Sequence, residues 1–199
     1  MRRDTLLSET TIAPPLFILA PPRSFTTVVC AMLGQHPQMY GLPELHLLGV
    51  RTMTEWFEQC AQASFDLDNG LVRVVAELFF GEQSDSNVRR ARGWLRRRTH
   101  CTTGMVFEHL AKRVYPLILV EKSPSLVYSL NSLRHVHTVF PDTRYIHLLR
   151  HPRGHGESVM RYLEERAKLG PIPSEHWLLG LASYPYSFSY NPIYQYSSV

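Results

Sequence analysis

Residues 21–27 read Pro-Pro-Arg-Ser-Phe-Thr-Thr, placing one guanidinium and three hydroxyls (Arg23, Ser24, Thr26 and Thr27) in a single turn. The turn follows a continuous apolar run at 16–20 and opens a helix-patterned stretch over 26–35, which Gly34 and His36-Pro37 end. A helix N-terminus presents unpaired N–H groups and a partial positive charge, so it is suited to an anion. The hydroxyls add donors there, and Arg23 adds a planar fork that fits phosphate or sulfate oxygens. The turn is not GxxxxGK[ST]: it lacks the spaced glycines that wrap a triphosphate, and its cation precedes the helix. Its chemistry is that of a cradle for one terminal phosphate or sulfate.

The elements that must hold this turn follow from the apolar pattern. The run at 16–20 has the character of a strand covered on both faces, as in a parallel sheet. A second strand is expected at 117–120, followed by Glu-Lys-Ser-Pro at 121–124 and a helix to about residue 140. A third is expected at 144–149, followed by Arg150-His151-Pro152 and a helix over about 156–169. Residues 51–87 are mostly helical in pattern, with Trp56, Phe57, Phe65, Leu78 and Phe79 as core candidates. Strands alternating with helices give an α/β fold with a parallel sheet. Ligands in such sheets bind beyond the carboxyl ends of the strands. The polar turns at 21–27, 121–124 and 150–158 should therefore converge on one crevice.

At 199 residues with 44% apolar content, the chain suits one domain with a real core. Net charge is +4, which fits an anionic ligand, and no nucleic-acid-binding module accompanies it. The three cysteines, Cys30, Cys60 and Cys101, are widely spaced, against a disulfide framework or a structural zinc site. No stretch approaches the ~20 apolar residues of a membrane span, and the run at 16–20 lies too far in for a signal peptide. A cytoplasmic protein is expected. His36, His147, His151 and His155 have no metal-ligand spacing, so no metal site is expected. Six arginines stand between 89 and 98, either a solvated helix face or a docking patch for an acidic partner.

Taken with "LGQHP" and "LPEL" downstream, "PPRSFTT" resembles the 5′-phosphosulfate loop of sulfotransferases that use 3′-phosphoadenosine 5′-phosphosulfate (PAPS), in the bacterial and tyrosylprotein-like branch. Arg150 with Ser158 eight residues on, in "RHPRGHGES", resembles that family's 3′-phosphate element, and "EKSP" resembles its DKTP-like segment. The resemblance covers about residues 15–169 and implies a P-loop-like three-layer fold, a central parallel sheet flanked by helices. It implies that Arg23, Ser24, Phe25, Thr26 and Thr27 hold the 5′-phosphosulfate, and that Arg150 and Ser158 hold the 3′-phosphate. Glu44, in "GLPELH", matches the family's general base, with His46 as the alternative base, as the group that orients it, or as a plain surface residue. Lys122 matches a lysine that stabilises the departing phosphate, against a plain ion pair with Glu121. The family has glycine where this chain has Phe25, and an ordinary backbone with the ring beside the cofactor is expected there.

The expected activity is transfer of a sulfuryl group from PAPS to a hydroxyl of a small-molecule, lipid or carrier-bound acceptor, leaving PAP and needing no metal. Domain organisation is read as an arm over 1–13, a sulfotransferase-like α/β domain over 14–170, and an irregular Tyr/Ser/Pro-rich tail over 171–199. Relatives continue past the 3′-phosphate helix into a segment that this tail does not resemble. A truncated, non-catalytic PAP- or PAPS-binding remnant is therefore a second reading. A nucleotide or small-molecule kinase is a third, disfavoured by the absent Walker lysine-serine pair.

Overall fold

The computed structural model describes residues 12–63 and 66–168. The N-terminal arm up to residue 11, Phe65 and the tail from 169 lie outside the described residues.

The chain begins with β1 (Leu16–Leu19), α1 (Thr26–Gly34) and β2 (Met39–Gly41). Four helices follow: α2 (Met53–Gln62), α3 (Asn69–Phe80), α4 (Asp85–Arg96) and α5 (Thr103–Val114). Next come β3 (Ile118–Glu121), a 3-10 turn (Pro124–Val127), α6 (Leu130–Val139), β4 (Arg144–His147) and α7 (Pro152–Ala167). The strands form one sheet in the order β2-β3-β1-β4, and every pairing is parallel. The molecule is thus α/β with a P-loop-like arrangement.

Alternation along β1 shows why its apolar run is continuous. Phe17 and Leu19 enter the larger core, among Trp56, Phe107, Leu110 and Leu119, whereas Leu16 and Ile18 join Cys30 and Val120 beneath α1. Successive side chains on a strand point to opposite faces, so a strand covered on both sides needs apolar residues throughout. Full burial of a Phe or Ile side chain contributes about 1.5–3 kcal/mol, and Phe17 and Ile18 are both fully buried. This anchors β1 at the middle of the sheet, with its carboxyl end between those of β3 and β4.

Three boundaries differ from the sequence expectation. β3 is one residue later, at Ile118–Glu121, because its pairing with β1 sets Val120 and Glu121 opposite Leu16 and Phe17. β4 ends at His147, since it pairs with β1 only as far as Leu19. α7 begins at Pro152 rather than near 156; proline suits a first helical turn, where its missing N–H has no intrahelical partner to lose. β2, an edge strand of three residues, was not anticipated. The expected helical character of 51–87 is met by α2 and α3 and the first residues of α4. No helix among the described residues is long and apolar enough to cross a membrane.

Candidate functional site

The turn between β1 and α1 is left-handed at two places: Arg23 has φ 66° and Phe25 has φ 62°. The expectation of ordinary backbone at Phe25 is corrected by this geometry. Phe25 is the N-cap of α1 in the αL conformation and makes no side-chain cap bond. For an L-residue that conformation costs about 1–2 kcal/mol, so the turn needs external fastening. Arg150 supplies part of it: its guanidinium lies 4.2 Å from the centre of the Phe25 ring, and Nη1 donates to the Arg23 carbonyl oxygen.

Between the two left-handed residues, Ser24 is 2% exposed, and its Oγ has no hydrogen-bond partner among the described residues. An unpartnered buried hydroxyl costs free energy unless something satisfies it. It stands at the N-terminus of α1, where an anionic oxygen would accept from it. Thr26 is buried beside it, while Thr27 lines the neighbouring cleft.

α7 closes the other side of the turn. Arg23 Nε donates to Ser158 Oγ at 3.2 Å, and its guanidinium lies 5.3 Å from the Tyr162 ring. His155, 5% exposed, donates from Nε2 to the Pro22 carbonyl at 2.8 Å. His155, Ser158 and Tyr162 recur at i, i+3 and i+7, which puts them on one helix face. His155, which has no metal-ligand spacing in the sequence, is part of the clasp, and its spacing from Ser158 is the signal that the sequence holds for it. Arg23, Arg150 and Ser158, drawn from two strand termini, thus meet at one place.

The third turn brings in the acid–base candidates. Lys122 Nζ lies 3.0 Å from Glu44 Oε1, and His46 Nε2 lies 3.5 Å from Glu44 Oε2. The alternative pairing of Lys122 with Glu121 does not form. Glu121 is 3% exposed and accepts from the Leu45 N–H and from the N–H and Oγ–H of Ser123. Burial would raise the Glu44 carboxyl, but the hydrogen bond from His46 and the charge and hydrogen bond of Lys122 outweigh it, and its pKa falls to about 2. Burial pushes the Glu121 carboxyl the other way, upward, against the three donors.

Glu44, His46 and Lys122 face a cleft of about 760 Å³ that also reaches Thr27, Tyr40 and Arg73. Pockets of about 300–1,000 Å³ suit small ligands. One wall is α3, and the approach is close: a Cβ on Gly70 would stand 1.9 Å from the Glu44 carbonyl oxygen. Farther along that helix Tyr40 Oη donates to Glu77, Gln83 bridges Glu77 to Arg73, and the cleft ends in a polar wall.

A parallel sheet whose strand ends carry a left-handed turn at a helix N-terminus, a guanidinium clasp and a paired carboxylate and ammonium defines a P-loop-like α/β domain. The chain belongs to the sulfotransferase family, whose model matches residues 14–179. Two solved structures are similar. The sulfotransferase domain from the Synechococcus PCC 7002 olefin synthase shares 29% identity at TM-score 0.66, over 78% of this chain and 55% of that one. The sulfotransferase domain from the curacin biosynthetic pathway shares 29% identity at TM-score 0.67, over 82% of this chain and 56% of that one. The chain thus spans little more than half the length of these domains. No curated protein matches it.

Proposed function

We propose that this domain transfers a sulfuryl group from PAPS to an acceptor hydroxyl by a single in-line displacement. The observation that carries the reading is the meeting of Arg23, Arg150 and Ser158 at the turn that opens α1, the helix that also contributes Thr27 to the cleft lined by Glu44 and Lys122. PAPS fits this donor set: the unpartnered Ser24 hydroxyl, with Thr26, Thr27 and Arg23, meets a terminal phosphosulfate, and Arg150 with Ser158 meets the 3′-phosphate. PAPS supplies the sulfuryl group as a substrate, and PAP leaves.

The protein's own groups do the rest. Glu44 takes the proton of the acceptor hydroxyl as its oxygen bonds to sulfur and the bond from sulfur to the phosphate oxygen breaks. A carboxyl whose pKa is about 2 is a poor base, and Lys122 is one of the groups that hold Glu44 there. An anionic oxygen entering beside Lys122 shares that ammonium, and Glu44 becomes more basic as a result. Lys122 and Arg23 then offset charge on the departing oxygen. His46, hydrogen-bonded through its backbone N–H to Ser123 Oγ at 2.8 Å and beside Glu44, positions the carboxylate. The acceptor enters the cleft along α3, and its class, small molecule, lipid or carrier-bound chain, is set there. The two solved relatives, a synthase domain and a biosynthetic-pathway domain, support a biosynthetic acceptor.

Incubation with labelled PAPS and a panel of hydroxyl acceptors, alongside calorimetry with PAP, tests the reading. Glu44→Gln should lower kcat by ~10²-fold or more, as for loss of a general base, and leave PAP affinity unchanged. Unaltered turnover removes Glu44 from the mechanism; absence of PAP binding in the parent protein removes the whole reading.

A further inference from the structure

The protein's excess positive charge sits on one element. Residues 85–98 hold six arginines and one aspartate, net +5, against +4 for the whole chain, so everything else sums to −1. Among the described residues, Arg92 alone of the six is ion-paired, to Asp68. Arg90, Trp94, Arg97 and Arg98 recur at i, i+4, i+7 and i+8, which sets them on one stripe running along α4 and just past its end.

Among the described residues, no carboxylate fastens that stripe. Arg98 lies 3.4 Å from the centre of the Trp94 ring and donates to the Trp94 carbonyl. Arg90 lies 4.2 Å from the Phe80 ring centre and donates to Asn87 Oδ1. Across the helix pair, Arg113 of α5 lies 5.6 Å from the Phe79 ring centre and donates to the Leu78 carbonyl. Phe79 and Trp94 are themselves in contact at 4.7 Å, and the His109 ring meets Trp94 edge-on at 5.9 Å. Arg97 is exposed, with no ion pair among the described residues. Stacking on aromatic faces fixes a guanidinium and leaves its outer N–H groups to solvent. Such groups have lost much of their rotamer freedom before any partner arrives, which lowers the entropy lost on docking.

A random solvated arginine face does not have this construction. Three guanidiniums are held in place on aromatic rings by neutral acceptors, and a fourth, Arg97, is exposed next to Arg98 in the sequence. We propose that the Arg90–Arg97–Arg98 stripe of α4, with Arg113 of α5, is a docking surface for the acidic helical face of a partner protein. Carboxylates at i, i+4 and i+8 on a partner helix span about 12 Å, a spacing that suits arginines set along α4 from Arg90 to just past its end. The helix that carries the stripe begins two residues after Gln83, which lines the cleft. The inference goes beyond the sulfuryl-transfer reading and stands without it.

The test uses the full chain and a fluorescein-labelled alanine-based helical peptide carrying Glu at i, i+4 and i+8, with its Gln counterpart, followed by anisotropy. The Glu peptide should bind at least tenfold more tightly than the Gln peptide, and its affinity should fall steeply as salt rises. Arg90→Gln/Arg97→Gln/Arg98→Gln should weaken it at least tenfold. Arg144→Gln/Arg161→Gln, on β4 and α7, should change it less than twofold. Thermal melting checks the fold of the triple variant. If that variant is unfolded, Arg97→Gln, which disturbs no stack, should still weaken binding two- to fivefold. Equal affinity for the two peptides, no binding at low salt, equal loss in the β4/α7 variant, or tighter binding of duplex DNA in competition would each overturn the proposal.

Discussion

Arg150 fastens the turn in this structure and is proposed to hold a 3′-phosphate as well, and replacing it should separate the two roles. In Arg150→Ala the turn loses a hydrogen bond to the Arg23 carbonyl and the stack on Phe25. A net hydrogen bond is worth about 0.5–1.5 kcal/mol and an exposed cation–π contact about 0.5–1 kcal/mol. Up to about 1–2.5 kcal/mol of turn order is therefore lost whichever nucleotide binds. The proposed contact with a 3′-phosphate is charge-assisted and adds about 1.5–3 kcal/mol, which only a nucleotide with that phosphate can lose. Calorimetry with PAP and with adenosine 5′-monophosphate reads the two contributions apart. PAP should weaken about 10- to 150-fold more than the monophosphate. Equal losses would show that Arg150 serves the turn alone and would refute its assignment to the 3′-phosphate.

Lys122→Met should raise the Glu44 pKa, seen directly by carbon NMR of labelled glutamate, because the carboxylate loses its cation. The depressed Glu44 value contributes stability that is present above its unfolded value and is lost as pH falls toward about 2 in the parent. Acid unfolding of the variant should accordingly lose this contribution at higher pH; an unmoved Glu44 titration would sink the pairing. Gly70→Ala forces a Cβ to within 1.9 Å of the Glu44 carbonyl. Overpacking of this kind costs about 1–3 kcal/mol, so Tm should fall by about 2–4 °C per kcal/mol. Turnover should drop while PAP affinity holds. An unchanged Tm would mean that α3 does not press on Glu44.

The parts of this molecule that the sequence made legible are those that repeat a pattern. The run at 16–20 announced β1 because both faces of that strand are covered, and Pro21 closed it cleanly. β2 escaped because Met39–Gly41 is three half-buried residues at the sheet edge, too short to show a period. The turns at 21–27 and 150–158 meet, as their places at neighbouring strand ends required. What no pattern revealed was pairing across the crevice. Glu121 and Lys122 are neighbours in sequence, but successive side chains at a strand end point to opposite sides. One therefore turns inward to Leu45 and Ser123, and the other reaches Glu44. The left-handed backbone at Phe25 was equally hidden. A bulky residue there is disfavoured locally, and the compensating contacts come from residues far along the chain.

That distance matters when the chain is made. The clasp on the anion turn is drawn from residues separated from it by 127, 133 and 135 positions. On the ribosome, β1 and α1 emerge long before α7 exists to hold the loop between them. Contacts this remote form late, so the nascent turn stays untied until almost the whole described domain has been synthesised. A nucleotide added to ribosome-bound chains should stabilise only those long enough to include α7, which makes ligand response a marker of completed folding.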